Sequence, residues 1–165
     1  MKGKNFTIRP ARVADVPVIL ELIRALATYE RAPNEVTATG KGLTEVLFGE
    51  KPAAEVLLAF ENETAVGFAV FFYNFSTWLG RPGIYLEDLF VRPEDRGKGY
   101  GRALLIHLAK IARERGCGRM EWAVLNWNEP AIEFYRKLGA KPMDEWTVFR
   151  LTRDGIARLA DSSLE

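Results

Sequence analysis

Residues 84–115 hold the part of the chain whose residue types and spacing are best suited to chemistry. An apolar run, Ile84-Tyr85-Leu86-Glu87-Asp88-Leu89-Phe90-Val91, is interrupted by two adjacent acids. Arg92-Pro93-Glu94-Asp95 follows, then Arg96-Gly97-Lys98-Gly99-Tyr100-Gly101, and then an amphipathic helix that starts with Arg102 and Ala103. A strand that feeds a glycine-rich turn, which in turn opens a helix, leaves backbone N–H groups unpaired at the positive end of the helix dipole. That arrangement suits a phosphate or pyrophosphate. Glycine at positions 97, 99 and 101 keeps side chains away, so an anion can reach the backbone itself. The loop is not a P-loop, because no Gly-Lys-Ser/Thr follows the required spacer. It is not the dinucleotide fingerprint either, whose glycines fall in G-x-G-x-x-G. From these residues alone two readings stand, an anion-binding loop and a plain strand–turn–helix corner. The Glu87-Asp88 pair is open in the same way: a reactive pair, or strand acids that are solvated or paired.

Composition narrows the chemistry. The 165 residues are 48% apolar and 12% aromatic, which describes one ordinary globular domain with a real core. Lys and Arg number 23 against 22 acids, so no global field recruits nucleic acid or an anionic membrane. A single cysteine, Cys117, excludes an internal disulfide and a cysteine metal cluster, and a single histidine, His107, excludes a His-pair zinc motif. No signal peptide and no apolar run of membrane-spanning length is read from the sequence, so a cytoplasmic enzyme or binding domain is expected.

The elements that must position the loop follow from periodicity. Residues 6–9 read as a strand closed by Pro10. Asp15 then caps a helix with Pro17 in its first turn and an apolar face of Val16, Ile19, Leu20, Ile23, Leu26 and Ala27, ending near Tyr29-Glu30. Leu43, Val46 and Leu47 suggest a short second helix stopped by Gly49. Residues 55–60 and 66–75 read as an antiparallel hairpin whose second strand is covered on both faces, with a loop at 78–83 before the strand at 84–91. The helix after the glycine loop buries Ala103, Leu104, Leu108 and Ile111 and stops at Gly116. Residues 119–125 form a further strand. Asn128 caps a helix lined by Ile132, Phe134, Tyr135 and Leu138, residues 146–151 form a last strand, and Thr152 caps a terminal helix. The sum is an α/β layer fold around one sheet, as a single domain over 1–165.

Several stretches in this order resemble one family. Arg96-Gly97-Lys98-Gly99-Tyr100-Gly101 matches Arg-x-x-Gly-x-Gly, the coenzyme A pyrophosphate loop of the GNAT N-acetyltransferases. Ile8-Arg9-Pro10-Ala11, Ala27-Thr28-Tyr29-Glu30, Tyr85-Leu86-Glu87-Asp88 and Trp127-Asn128-Glu129-Pro130 resemble the diamine (spermidine/spermine) acetyltransferase branch from the first strand to about Arg150. The resemblance implies a GNAT fold, with a single mixed, mostly antiparallel sheet, splayed central strands and helices on both faces. It implies that the pantetheine arm of acetyl-CoA runs along Leu89, Phe90 and Val91. The pyrophosphate then sits over Gly97, Lys98, Gly99, Tyr100, Gly101 and Arg102, with charge added by Arg96, Lys98 or Arg102. Asn128, Ala131 and Tyr135 lie along the coenzyme, although Asn128 is an equally good helix cap.

The implied reaction is attack of an amine on a thioester. An alkylammonium with a pKa of about 10.4 is only about one part in 2,500 free base near pH 7, and removing its proton costs roughly 4.6 kcal/mol. The resemblance places Glu87 as the carboxylate that draws this proton away and Tyr135 as the proton donor to the departing thiolate. Tyr29, Glu30, Glu87 and Asp88 would suit a polycationic acceptor, and Glu121 and Trp122 border its pocket. A small aliphatic polyamine is therefore the expected substrate, with no metal, nucleic acid or membrane involved, and a homodimer is implied. Two departures weaken the polyamine: Ser76-Thr77 stands where the branch has Asp-Pro, and Ala123-Val124-Leu125-Asn126-Trp127 is closer to the thialysine acetyltransferases. A lysine-like amino acid is the alternative acceptor. A non-catalytic acyl-CoA-binding domain would keep the loop but lose Glu87 or Tyr135, and both are present.

Overall fold

The computed structural model of the protein describes residues 5–163. Five strands, β1 (Phe6–Pro10), β2 (Glu55–Glu61), β3 (Thr64–Ser76), β4 (Arg81–Val91) and β5 (Met120–Trp122), form one sheet in that spatial order. The first four pair antiparallel, and β5 runs parallel to β4. The helices are α1 (Val16–Tyr29), α2 (Gly40–Phe48), α3 (Tyr100–Glu114), α4 (Glu129–Lys137) and α5 (Arg153–Ala160). The chain divides into two compact units: Met1–Leu125, with the whole sheet and α1 to α3, and Asn126–Glu165, with α4 and α5.

In the first unit, strand alternation sends Val56, Leu58, Phe68 and Phe90 to one face, where they pack with Ile19, Leu22 and Leu26 of α1. Leu57 and Ala59 point the other way, toward the side covered by α3, whose Leu104, Leu105, Leu108 and Ala112 are buried. Asp15 sits at the N-cap of α1 but does not bond to the helix. Its carboxylate takes the Arg9 guanidinium at 2.7 and 2.9 Å and the Arg12 N–H at 2.7 Å. A bidentate ionic bond outcompetes a neutral cap, and Asp15's pKa is held down by that Arg9 contact.

Five further expectations change. β3 is buried on both faces only as far as Phe71, the residue opposite the first residue of β2; beyond it Tyr73 and Phe75 are exposed. The loop expected at 78–83 tightens to residues 77–80, because Gly80 N–H donates to Ser76 C=O and Leu79 N–H to Ser76 Oγ. The strand expected at 119–125 shortens to Met120–Trp122. Residues 146–151 form no strand: Val148 and Phe149 are 84% and 93% exposed, and no strand among the described residues of the second unit offers a partner. Thr152 occupies the N-cap of α5 but makes no side-chain capping bond.

Candidate active site

The glycine loop has the shape an anion needs. Gly97 and Gly99 have φ of +78° and +85°, and Gly99 is the left-handed N-cap of α3. A Cβ at either position would meet nothing within 4 Å, so the space before the backbone is open. The first bond of the α3 ladder runs from Ala103 N–H to Gly99 C=O at 3.0 Å, which leaves the N–H groups of Tyr100, Gly101 and Arg102 ahead of it. These features fit a pyrophosphate held by backbone donors. The cations divide three ways. Lys98 is bound to Asp95 at 2.6 Å and Glu61 at 2.9 Å, which holds its pKa well above the ordinary ammonium value. Arg96 donates Nε–H to Val91 C=O at 3.0 Å and lies 4.2 Å over the Tyr29 ring. Arg102 is exposed and has no ion pair among the described residues.

β4 supplies an open edge. Its pairing with β5 stops at Leu86 opposite Trp122, so residues 87–91 run on without a strand on that side among the described residues. The β3–β4 register slips here: Val70 faces Asp88 and Phe71 faces Leu86, so Glu87 is the extra residue of a bulge. The bulge reverses the parity of the backbone. Ile84 N–H points to β5, where it bonds Arg119 C=O, while Arg92 N–H bonds Val66 C=O of β3. By alternation from Arg92, Phe90 also faces β3, and the N–H and C=O groups of Leu89 and Val91 face the edge without a strand.

The bulge also gathers acids. Asp88 is half-buried, and its pKa is pushed up to about 6 by burial, then by the nearby charges of Glu87 and Glu30. Glu30 closes the C-terminal end of α1, and partial desolvation raises its pKa as well. The turn that holds Glu30 is fixed by Ala32 N–H to Ala27 C=O at 2.8 Å, with Arg31 in the left-handed region at φ 63°. No hydrogen bond or ion pair to Glu30, Glu87 or Asp88 is made by another side chain among the described residues. Three carboxylates with no counter-cation among the described residues are compatible with a positively charged group. Tyr29, beside them, also packs against Phe90, with ring centroids 6.4 Å apart.

Glu121 and Trp122 lie on β5 opposite Tyr85 and Leu86. Glu121 already accepts from Arg119 at 2.9 Å and Asn74 Nδ2 at 3.2 Å, so its charge is largely satisfied. Tyr85 has its pKa raised by burial, then by the charges of Glu87 and Glu121. Asn74 Oδ1 is buried without a partner, and a Cβ at Gly83 would collide with it. Sequence reading did not pick out Asn74, Tyr85 or Glu61, because their contacts join residues far apart in the chain.

The second unit carries the remaining candidates. Asn128 is buried and accepts the Ala131 N–H at 3.4 Å, so the capping role is seen directly. Tyr135 is half-buried on α4, its ring 5.4 Å from that of Phe134.

The profile of the Acetyltransferase (GNAT) family matches residues 20–140. A thialysine N-epsilon-acetyltransferase from Bos taurus is 38% identical over 164 residues, covering 93% of this chain and 96% of the relative. The L-ornithine N5-acetyltransferase NATA1 of Arabidopsis thaliana is 32% identical over 90% of this chain and 85% of its own length. Among solved structures, the integron cassette protein VCH_CASS6 from the mobile metagenome of V. cholerae superposes with a TM-score of 0.80 at 27% identity, covering 97% of this chain and 100% of that one.

Proposed function

The chain belongs to the GNAT acetyltransferase family, and from that premise we propose that it acetylates the terminal primary amine of a lysine-like amino acid of the thialysine type. Acetyl-CoA supplies the activated acetyl group as a thioester. By family resemblance, the residues proposed to hold it are the loop 97–102, the strandless edge at Leu89 and Val91, where the Val91 C=O already accepts Arg96 Nε–H, and Asn128 and Ala131.

The observation that carries the acceptor reading is the Glu30, Glu87 and Asp88 cluster, which has no counter-cation among the described residues. An ammonium arriving there relieves the mutual repulsion of the carboxylates. Glu87, set outward by the bulge, is proposed to take the amine's proton, directly or through water. Tyr135 is proposed to return a proton to the departing thiolate. Neither step calls for a metal.

The polyamine remains the second reading, because three uncompensated acids also suit a second ammonium. Two things favour the amino acid. Ser76, where the resemblance expects an acid-bearing pair, brings no charge, and its hydroxyl oxygen already accepts the Leu79 N–H. The relatives named for thialysine and ornithine acetylation act on amino acids with a terminal amine. By resemblance the protein is also proposed to be a homodimer and to work in the cytoplasm.

The test is acetyl-CoA with a panel of thialysine, lysine, ornithine, putrescine and spermidine, read as release of free thiol. Higher kcat/KM for thialysine than for spermidine supports the proposal. The reverse order selects the polyamine, and thiol release with neither removes both.

A further inference from the structure

Two residues of the coenzyme loop are tied to a carboxylate that lies outside it. We propose that Glu61, at the end of β2, is the positioning residue of the loop. It grips Lys98 and Tyr100 on either side of Gly99, so that Lys98 acts as a strut and not as a phosphate ligand. The inference rests on reading residues 97–102 as the pyrophosphate site.

The geometry is specific. Glu61 Oε2 accepts from Lys98 Nζ at 2.9 Å and from the Tyr100 hydroxyl in a short hydrogen bond. Asp95 takes Lys98 from the other side at 2.6 Å. The carboxylates are well sheltered: the side chains of Glu61 and Asp95 are 10% and 15% exposed. Such a cluster is harder to disperse than a solvated surface pair. Glu61 is itself fixed, because it pairs with Thr64 across the β2–β3 turn and with Phe6 of β1. The Phe6 ring in turn stacks on Tyr100, with centroids 4.2 Å apart and planes 3° from parallel. Tyr100 is thus held by both a ring and a carboxylate.

The loop needs such a brace. Its usable feature is the direction of its N–H groups, and glycines at 97, 99 and 101 leave that direction entropically expensive to fix. Ordering the loop before the coenzyme arrives removes that cost from binding. The brace also makes an unusual electrostatic prediction. Glu61 and Asp95 outnumber Lys98, so Coulomb's law alone says that neutralising Glu61 should draw a pyrophosphate in more tightly. A brace says the opposite, and the sign decides.

The experiment is calorimetric titration of the full-length protein with coenzyme A, alongside steady-state kinetics, for wild type, Glu61→Gln and Tyr100→Phe. Glu61→Gln should raise the coenzyme Kd about tenfold, on the scale of a lost hydrogen bond to a charged group. The acetyl-CoA KM should rise in parallel, and the acceptor KM should not move. Tyr100→Phe keeps the ring on Phe6 and loses only the hydroxyl, so it should show a smaller rise. It also carries the test if Glu61→Gln does not fold. Amide exchange of residues 97–102 in the free protein should speed up in both variants. Unchanged or tighter coenzyme binding in the folded variants would overturn the brace while leaving the loop assignment intact. A wild-type protein that does not bind coenzyme A would remove the loop assignment, and this inference with it.

Discussion

At the scale of single residues, Asp88 is the most informative titrating group. Its ordinary pKa is 3.8, and in the fold it is pushed up to about 6 by burial and by Glu87 and Glu30. An acid with a raised folded pKa ionises first in the unfolded chain, so folding stability falls as pH climbs from about 4 to about 6, and the penalty is complete above that. Asp88→Asn should flatten this slope and raise stability at neutral pH, as urea unfolding at pH 4, 5, 6 and 7 would measure. A cationic acceptor favours the ionised form, so kcat/KM for the amine should decline below about pH 6 in wild type, and Asp88→Asn should lose that limb. The proton-transfer roles are separable too. Tyr135→Phe should lower turnover by about 10²–10⁴-fold, the usual weight of general acid catalysis, with little change in acetyl-CoA affinity. The Glu87→Gln defect should shrink between pH 6.5 and 9.5, as the amine deprotonates in solution. Near-native turnover in Tyr135→Phe with chemistry rate-limiting would refute its role as the acid.

At the scale of elements, the loop and the bulge do different work. Gly99 has φ +85° with open space where a Cβ would stand. Valine there resists the left-handed conformation and fills the anion's place. Gly99→Val should therefore raise the acetyl-CoA Kd by well over tenfold in a protein whose circular dichroism is unchanged; native affinity would refute the loop's role. The bulge absorbs Glu87 as one extra residue, so deleting it removes the residue and the parity reversal together and leaves the polar groups of Leu89 and Val91 on the free edge. Both the deletion and Glu87→Gln should therefore spare coenzyme binding while slowing turnover. Titrating both variants with coenzyme A checks this, and lost affinity in the deletion would refute the register argument.

At the scale of the whole molecule, two stretches of the chain expose several large apolar side chains each. Tyr73, Phe75, Trp78 and Leu79 lie at the end of the β3–β4 hairpin, and Met143, Trp146, Val148, Phe149 and Leu151 follow α4. The dimer proposed by resemblance gives a use for such surface. Light scattering should return about twice the monomer mass of 18.6 kDa at working concentrations, and the monomer mass alone would refute the dimer.

The sequence by itself determined what local chemistry determines. Glycines at 97, 99 and 101, the i, i+3, i+4 face of α1 and the Asn128 cap each act within a few residues: Gly97 and Gly99 take positive φ, Asn128 caps α4, and Val16, Ile19 and Leu26 are buried on α1, where Leu22, absent from the face as read, joins them. It also carried the family through matching stretches in a fixed order. The tertiary structure decided what depends on residues far apart in the chain. Lys98 reads as a free cation until Glu61 arrives from β2. Arg96 reads as a phosphate ligand until it is seen stacked on Tyr29. The residue types alone do not separate Glu87 from Asp88, although the family resemblance singles out Glu87, and only the pairing with β3 makes Glu87 the bulged residue and leaves Asp88 half-buried. Residues 146–151 have strand composition, but a strand exists only where another strand supplies its hydrogen bonds, and that partner is not a property of the segment.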